Sequence, residues 1–212
     1  MSNIESKRGE GITSVLRSDS VIGVGKEYLE LGVDAVLDSE VLKDVPLVNT
    51  VVGIFNVAGT FRDHILAAKL IRFLNQLSDV KQQDRVEMVE RLNEDGKFSG
   101  RVGSALIEIL DRMESEKKPE LAARCFAAYA KKEISFEELR RILLALERVP
   151  SFDIEQLAAF SKAMPVDLAQ MDEAMLLAYV NAGLGVNNGG FDGGLIVPTK
   201  LCQLFIKIGL AS

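Results

Sequence analysis

His64 is the chain's single histidine, and it lies in "TFRDHILAAKL". One imidazole cannot make a histidine-based zinc site, whose ligand sets repeat His and Cys at short spacings. A Ser/His/Asp triad through His64 would also need an exposed serine on a tight strand-to-helix turn, and no G-x-S-x-G occurs. The two cysteines, Cys125 in "LAARCFAAYA" and Cys202 in "KLCQLFIKI", sit among apolar residues at helical spacing and are expected to be buried free thiols. Paired acids occur at Glu137/Glu138 and Asp172/Glu173. Neighbours in sequence leave a helix in different directions, whereas two carboxylates that share a substrate must converge. Both pairs therefore read as surface or capping groups. No catalytic, cofactor-binding or metal-ligating residue is nominated, and no cofactor is implied.

Six of the seventeen glycines fall within residues 183–194, "GLGVNNGGFDGG". A Walker-type phosphate loop needs G-x-x-x-x-G-K-[ST] between a strand and a helix, and Lys200 lies too far beyond Gly194 to serve. The asparagines and glycines at 187–190 favour positive φ, and Leu195, Ile196 and Val197 favour a strand, which predicts a short β-hairpin. A second glycine pattern, "GVG" at 23–25, fails as a dinucleotide loop because Tyr28 stands where the third glycine belongs. "FAAYAKKEISFEEL" has the spacing of an EF-hand end, with Ile134 at the eighth position and Glu138 at the twelfth. The residues at the first, third and fifth positions would be Ala127, Tyr129 and Lys131, none of which carries a carboxylate. Ser135 with Glu138 three residues on instead predicts a capping box at a helix start.

The elements around these residues are mostly helical. Val21 to Leu37 has a 3.6-residue period, and Thr60 with Asp63 predicts a helix start ahead of Leu66, Leu70 and Leu77. Arg62, Lys69 and Arg72 fall on the other faces of that helix, where solvated charge is the ordinary expectation. Ser78 or Asp79 is expected to cap the next helix, and two more amphipathic helices follow, around 102–113 and 119–133. Helix 136–149 runs to Pro150. The segment 45–61 carries no charge but is interrupted by Pro46, Asn49, Thr50 and Asn56; a buried helix or hairpin is expected, with membrane insertion as the alternative.

Helix, short helix, longer helix ending in "AGLG", hairpin, then "PTKLCQLFI" resembles the winged-helix pattern over residues 151–212. In winged helices that bind DNA, the helix before the wing enters the major groove. Here that helix starts with Asp172 and Glu173, and the wing offers Asp192 but no base, so like charge would meet the phosphates.

The expected fold is mainly α, a helical bundle with a small winged-helix-like β-hairpin near the C-terminus. The expected division is a flexible tail at 1–20, a helical domain at 21–150 and the small module at 151–212. A composition of 48% apolar and 26% charged residues supports a folded core. A net charge of −6 without long like-charged blocks argues against general nucleic-acid binding. The mixed charges of the first twenty residues do not read as a signal peptide, which leads to an expected cytoplasmic location. Function is expected to be non-enzymatic: a protein-interaction or regulatory module with a protein partner or self-association. The alternatives are a membrane-associated protein acting through 45–61 and a winged-helix DNA-binding regulator.

Overall fold

A computed structural model describes residues 3–19, 46–55, 60–94, 98, 100–189 and 193–211. The helix expected at Val21 to Leu37 and Asp192 of the wing lie outside the described residues. The protein is mainly helical with one small antiparallel sheet, and its chain divides into two compact units, Met1–Glu133 and Ile134–Ser212.

In the first unit, α1 (Asn3–Arg17), α2 (Pro46–Phe55), α3 (Phe61–Leu77), α4 (Gln82–Glu94), α5 (Val102–Asp111) and α6 (Lys118–Ala130) follow one another. Helix α3 is the central element and packs on α2, α5 and α6. Its start is the expected capping box: the Asp63 amide donates to the Thr60 hydroxyl, and the Asp63 carboxylate accepts from the Thr60 amide. Leu66, Leu70, Phe73, Leu74 and Leu77 are buried along its inner face, each worth roughly 1.5–3 kcal/mol of transfer free energy. Phe73 meets Phe126 of α6 edge to face, with ring centroids 5.4 Å apart.

Residues 3–17 form α1 where a flexible tail was expected. Ile12, Val15 and Leu16 share a buried face at helical spacing. The surrounding charges masked that face in the sequence. Helix α1 crosses α5 at unusually close range: a Cβ on Gly103 would lie 2.0 Å from the Gly9 carbonyl oxygen, so neither helix admits a side chain there. The Gly103 amide donates to the Thr13 hydroxyl at 3.1 Å across the same crossing.

One further expectation is corrected, and another holds over the described residues. Ser78 does not cap the next helix; its amide and hydroxyl both donate to the Asn75 carbonyl and close α3, and α4 begins at Gln82. Of the uncharged segment 45–61, residues 46–55 form α2, with Leu47, Val48, Val51 and Phe55 buried. No described helix is long and apolar enough to cross a membrane.

The second unit opens with α7 (Phe136–Arg148), capped by Ser135 and Glu138 as expected. A 3-10 turn (Ser151–Gln156) leads into α8 (Leu157–Lys162), then α9 (Pro165–Leu168) and α10 (Glu173–Asn181). Strands β1 (Gly185–Asn187) and β2 (Ile196–Pro198) pair antiparallel, with Val186 opposite Val197, and α11 (Lys200–Lys207) closes the chain from its N-cap Thr199. Leu139, Leu146, Leu157, Phe160, Tyr179 and Phe205 are fully buried in this unit. The two units divide at Glu133/Ile134 rather than at Pro150, which places α7 with the C-terminal elements.

Candidate protein-contact surface

Helix α10 is apolar on two sides. Asp172 caps it, accepting from the Met175 amide at 2.8 Å. Leu176 and Tyr179 turn inward: the Tyr179 ring packs against Phe160 at 4.8 Å between centroids, and its hydroxyl donates to the Asp153 carbonyl at 2.7 Å. Burial raises the Tyr179 hydroxyl above its ordinary pKa. Burial likewise raises the Asp153 carboxyl, helped by the negative charge of Asp172. On the flank of that buried face Leu177 is 54% exposed and Val180 39%, three residues apart and thus on one stripe, with Glu173 on it too.

Helix α10 ends at Gly183. The Gly183 amide donates to the Val180 carbonyl and the Leu184 amide to the Tyr179 carbonyl, a paired closure that needs positive φ at the glycine, here +76°. The chain then enters β1, whose Val186 is 48% exposed. At the hairpin end the Asn187 side chain accepts from the Gly189 amide at 2.7 Å and donates to the Gly193 carbonyl, and the Asn188 side chain accepts from the Leu195 amide. Gly194 has φ +72°, and a Cβ there would lie 2.6 Å from both the Asn187 amide oxygen and the Gly189 carbonyl. The asparagines and glycines thus build a self-contained turn, and the amides of Gly189 and Leu195 are directed at asparagine side chains rather than into a phosphate cradle.

The other surface feature, in the first unit, is a cleft of about 290 Å³ lined by Arg8, Arg62, Asp63, Leu66, Ile107 and Asp111, among others. Its charges fasten helices together. Arg8 bonds the Asp63 carboxylate at 2.8 Å and the Phe55 carbonyl at 3.1 Å, and its guanidinium lies over the Phe55 ring. Arg62 pairs with Asp111. Burial works against the charge of Asp63, but the Arg8 guanidinium and the Thr60 donors outweigh it and hold the carboxyl below its usual range.

Arg72 and Lys69 are not the solvated charges expected of them. Arg72 is largely buried and bonds Glu116 and Glu120. The Lys69 ammonium donates to the carbonyls of Leu110, Asp111 and Met113 at the end of α5, and burial lowers its pKa. Sequence reasoning had no signal for these contacts, since each partner lies some forty residues away along the chain.

The remaining candidates fall where expected. Cys125 and Cys202 are buried free thiols, and burial raises both, Cys202 to about 11. His64 is half-buried on α3. Glu137 pairs with Arg141, whereas Glu138 turns back to the Ser135 amide and hydroxyl, bonds that hold its carboxyl below the usual range. The adjacent acids therefore diverge. Among the described residues no three His, Cys, Asp or Glu side chains are grouped so as to hold a metal ion.

No family model, no curated protein and no solved structure matches this chain.

Proposed function

We propose that the chain is a non-enzymatic protein-interaction module that acts through its C-terminal unit, with the outer face of α10 as the contact surface. The observation that carries this reading is the second apolar side of α10. Leu176 and Tyr179 already anchor the helix to its own core, while Leu177 and Val180 keep 54% and 39% of their surface in water. Exposed apolar side chains flanked by polar residues are the usual make-up of a protein contact. The order α8, α9, α10, hairpin, α11 is read here as a winged-helix-like frame that presents α10. Asp172 and Glu173 at the start of α10 oppose its use in a DNA groove.

The test is a tagged pull-down of the full chain from its host, run on soluble and detergent-extracted fractions with and without nuclease, beside a Leu177→Glu variant. Expected is a soluble protein partner that survives nuclease and is lost with Leu177→Glu. Recovery only from detergent, or only with nucleic acid intact, would overturn the reading in favour of a membrane or DNA role respectively.

A further inference from the structure

We infer that the partner of this surface is a second copy of the same chain, bound as a twofold dimer; the inference rests on the reading of α10 as a contact face. Helix α7 exposes Leu144 (45%), with the exposed Arg140, Arg141 and Arg148 at three- and four-residue steps on the same side. Glu137 offsets Arg141 by pairing with it, and Glu147 is half-buried on the flank, so this face keeps an excess of positive charge. Helix α10 exposes the opposite combination: Leu177 and Val180 with Glu173 and the capping Asp172.

Arg148 reaches the Asn181 carbonyl at 3.5 Å, which brings the C-terminal end of α7 to the C-terminal end of α10. Arg148 follows Leu144 by one turn and Asn181 follows Leu177 by one turn. Otherwise α7 and α10 do not pack along their lengths. The C-terminal unit thus exposes two apolar patches of opposite charge, Leu144 with Arg140 and Arg141 on α7, and Leu177 and Val180 with Glu173 on α10.

Two patches of opposite charge on one chain are complementary to the same two patches on a second copy. A twofold pairing sets the basic α7 patch of each copy against the acidic α10 patch of the other and Leu144 against Leu177 and Val180, which is the isologous arrangement. Exposed ion pairs contribute little on their own, so the apolar residues supply the affinity and the charges fix which patch meets which.

Sedimentation equilibrium of the purified full chain, up to the millimolar range, tests this. The wild type is expected to dimerise, and Leu177→Glu to weaken the dimer at least tenfold with an unchanged circular dichroism spectrum. Glu173→Arg and Arg140→Glu each place like charges at both ends of the contact and should weaken self-association severalfold. An equimolar mixture of those two variants restores both charge pairs and should form a heterodimer as stable as the wild type. A monomeric wild type, a dimer indifferent to Leu177→Glu, or a mixture no tighter than its separate components would each overturn the proposal. A monomeric chain that still captures a different protein through Leu177 removes the dimer and leaves the interaction reading standing. Nuclease-sensitive capture alone does the reverse.

Discussion

Lys132 is the one described residue other than glycine with a positive φ, +62°, and it occupies the position after a helix end that glycine usually fills. The Lys132 amide donates to the Tyr129 carbonyl and the Glu133 amide to the Ala128 carbonyl, the same closure that Gly183 makes after α10. For a residue with a Cβ this conformation costs about 1–2 kcal/mol. The ammonium in return pairs with Glu87 of α4 at 2.6 Å and holds that carboxyl below its usual range. The strain and the ion pair can be separated with two variants, since Lys132→Ala and Lys132→Gly both lose the pair but only alanine keeps the Cβ. Lys132→Gly is expected to be the more stable of the two by about 1 kcal/mol, read from urea midpoints at equal m. Equal midpoints would mean that the turn carries no strain. The residue also explains why the calcium-loop spacing in this segment was only apparent: "AKKEIS" spans a helix end and a capped helix start in succession.

At the scale of elements, one device recurs: a basic side chain from one helix donates to the last carbonyls of another. Arg8 does so at Phe55 of α2, Lys69 at the end of α5, Arg91 at Tyr129 and Ala130 of α6, and Arg148 at Asn181 of α10. Arg85 is the most buried case, bonding the carbonyls of Leu16, Ser18 and Val80 and so closing α1. The free carbonyls at a helix C-terminus and its negative dipole end both favour such a cation. Replacing Arg85 with methionine keeps its apolar stem but leaves buried carbonyls without donors, and is expected to cost roughly 2–4 kcal/mol. Arg101→Met, which removes a surface pair with Glu108, should stay within about 0.5 kcal/mol by the same chemical denaturation. Equal losses would show that the burial of Arg85, not its bonds, matters. This device marks where the sequence was legible and where it was not. Capping boxes at Thr60 and Ser135, the cap at Thr199 and the hairpin at 185–198 depend on residues within a few positions of each other, and all were readable. Two of Arg85's partners, Leu16 and Ser18, are 69 and 67 residues away in the chain, and contacts of that kind make a lysine or arginine on a polar face look like solvated charge in the sequence. The outer face of α10 was hidden for a different reason. "EAMLLAYVN" is apolar at nearly every position, and period alone does not tell which apolar side meets the core.

At the scale of the whole molecule, the same limit moved the boundary between units. Helix α7 has a strongly amphipathic pattern, which says that one face is buried but not which neighbours bury it; Pro150 then looked like a border. The contacts instead group α7 with the C-terminal elements, and its Leu139, Ile142 and Leu146 are buried there with Leu157, Phe160 and Phe205. The C-terminal unit by itself is a short chain with a small core and a large surface, and independent folding at that size is marginal. The fragment 134–212 nevertheless holds helices capped at Ser135, Asp172 and Thr199, a pair of antiparallel strands and an aromatic pair at its centre, Phe160 with Tyr179. It is therefore expected to fold alone, with dispersed amide resonances and one cooperative thermal transition. A fragment starting at Ser151 lacks α7 and should show neither. Phe160→Ala within 134–212 should remove about 3–5 kcal/mol, enough to abolish the transition in a unit of this stability. If instead the two fragments melt alike, or 134–212 unfolds without a transition, α7 does not belong to the cooperative core of the C-terminal unit.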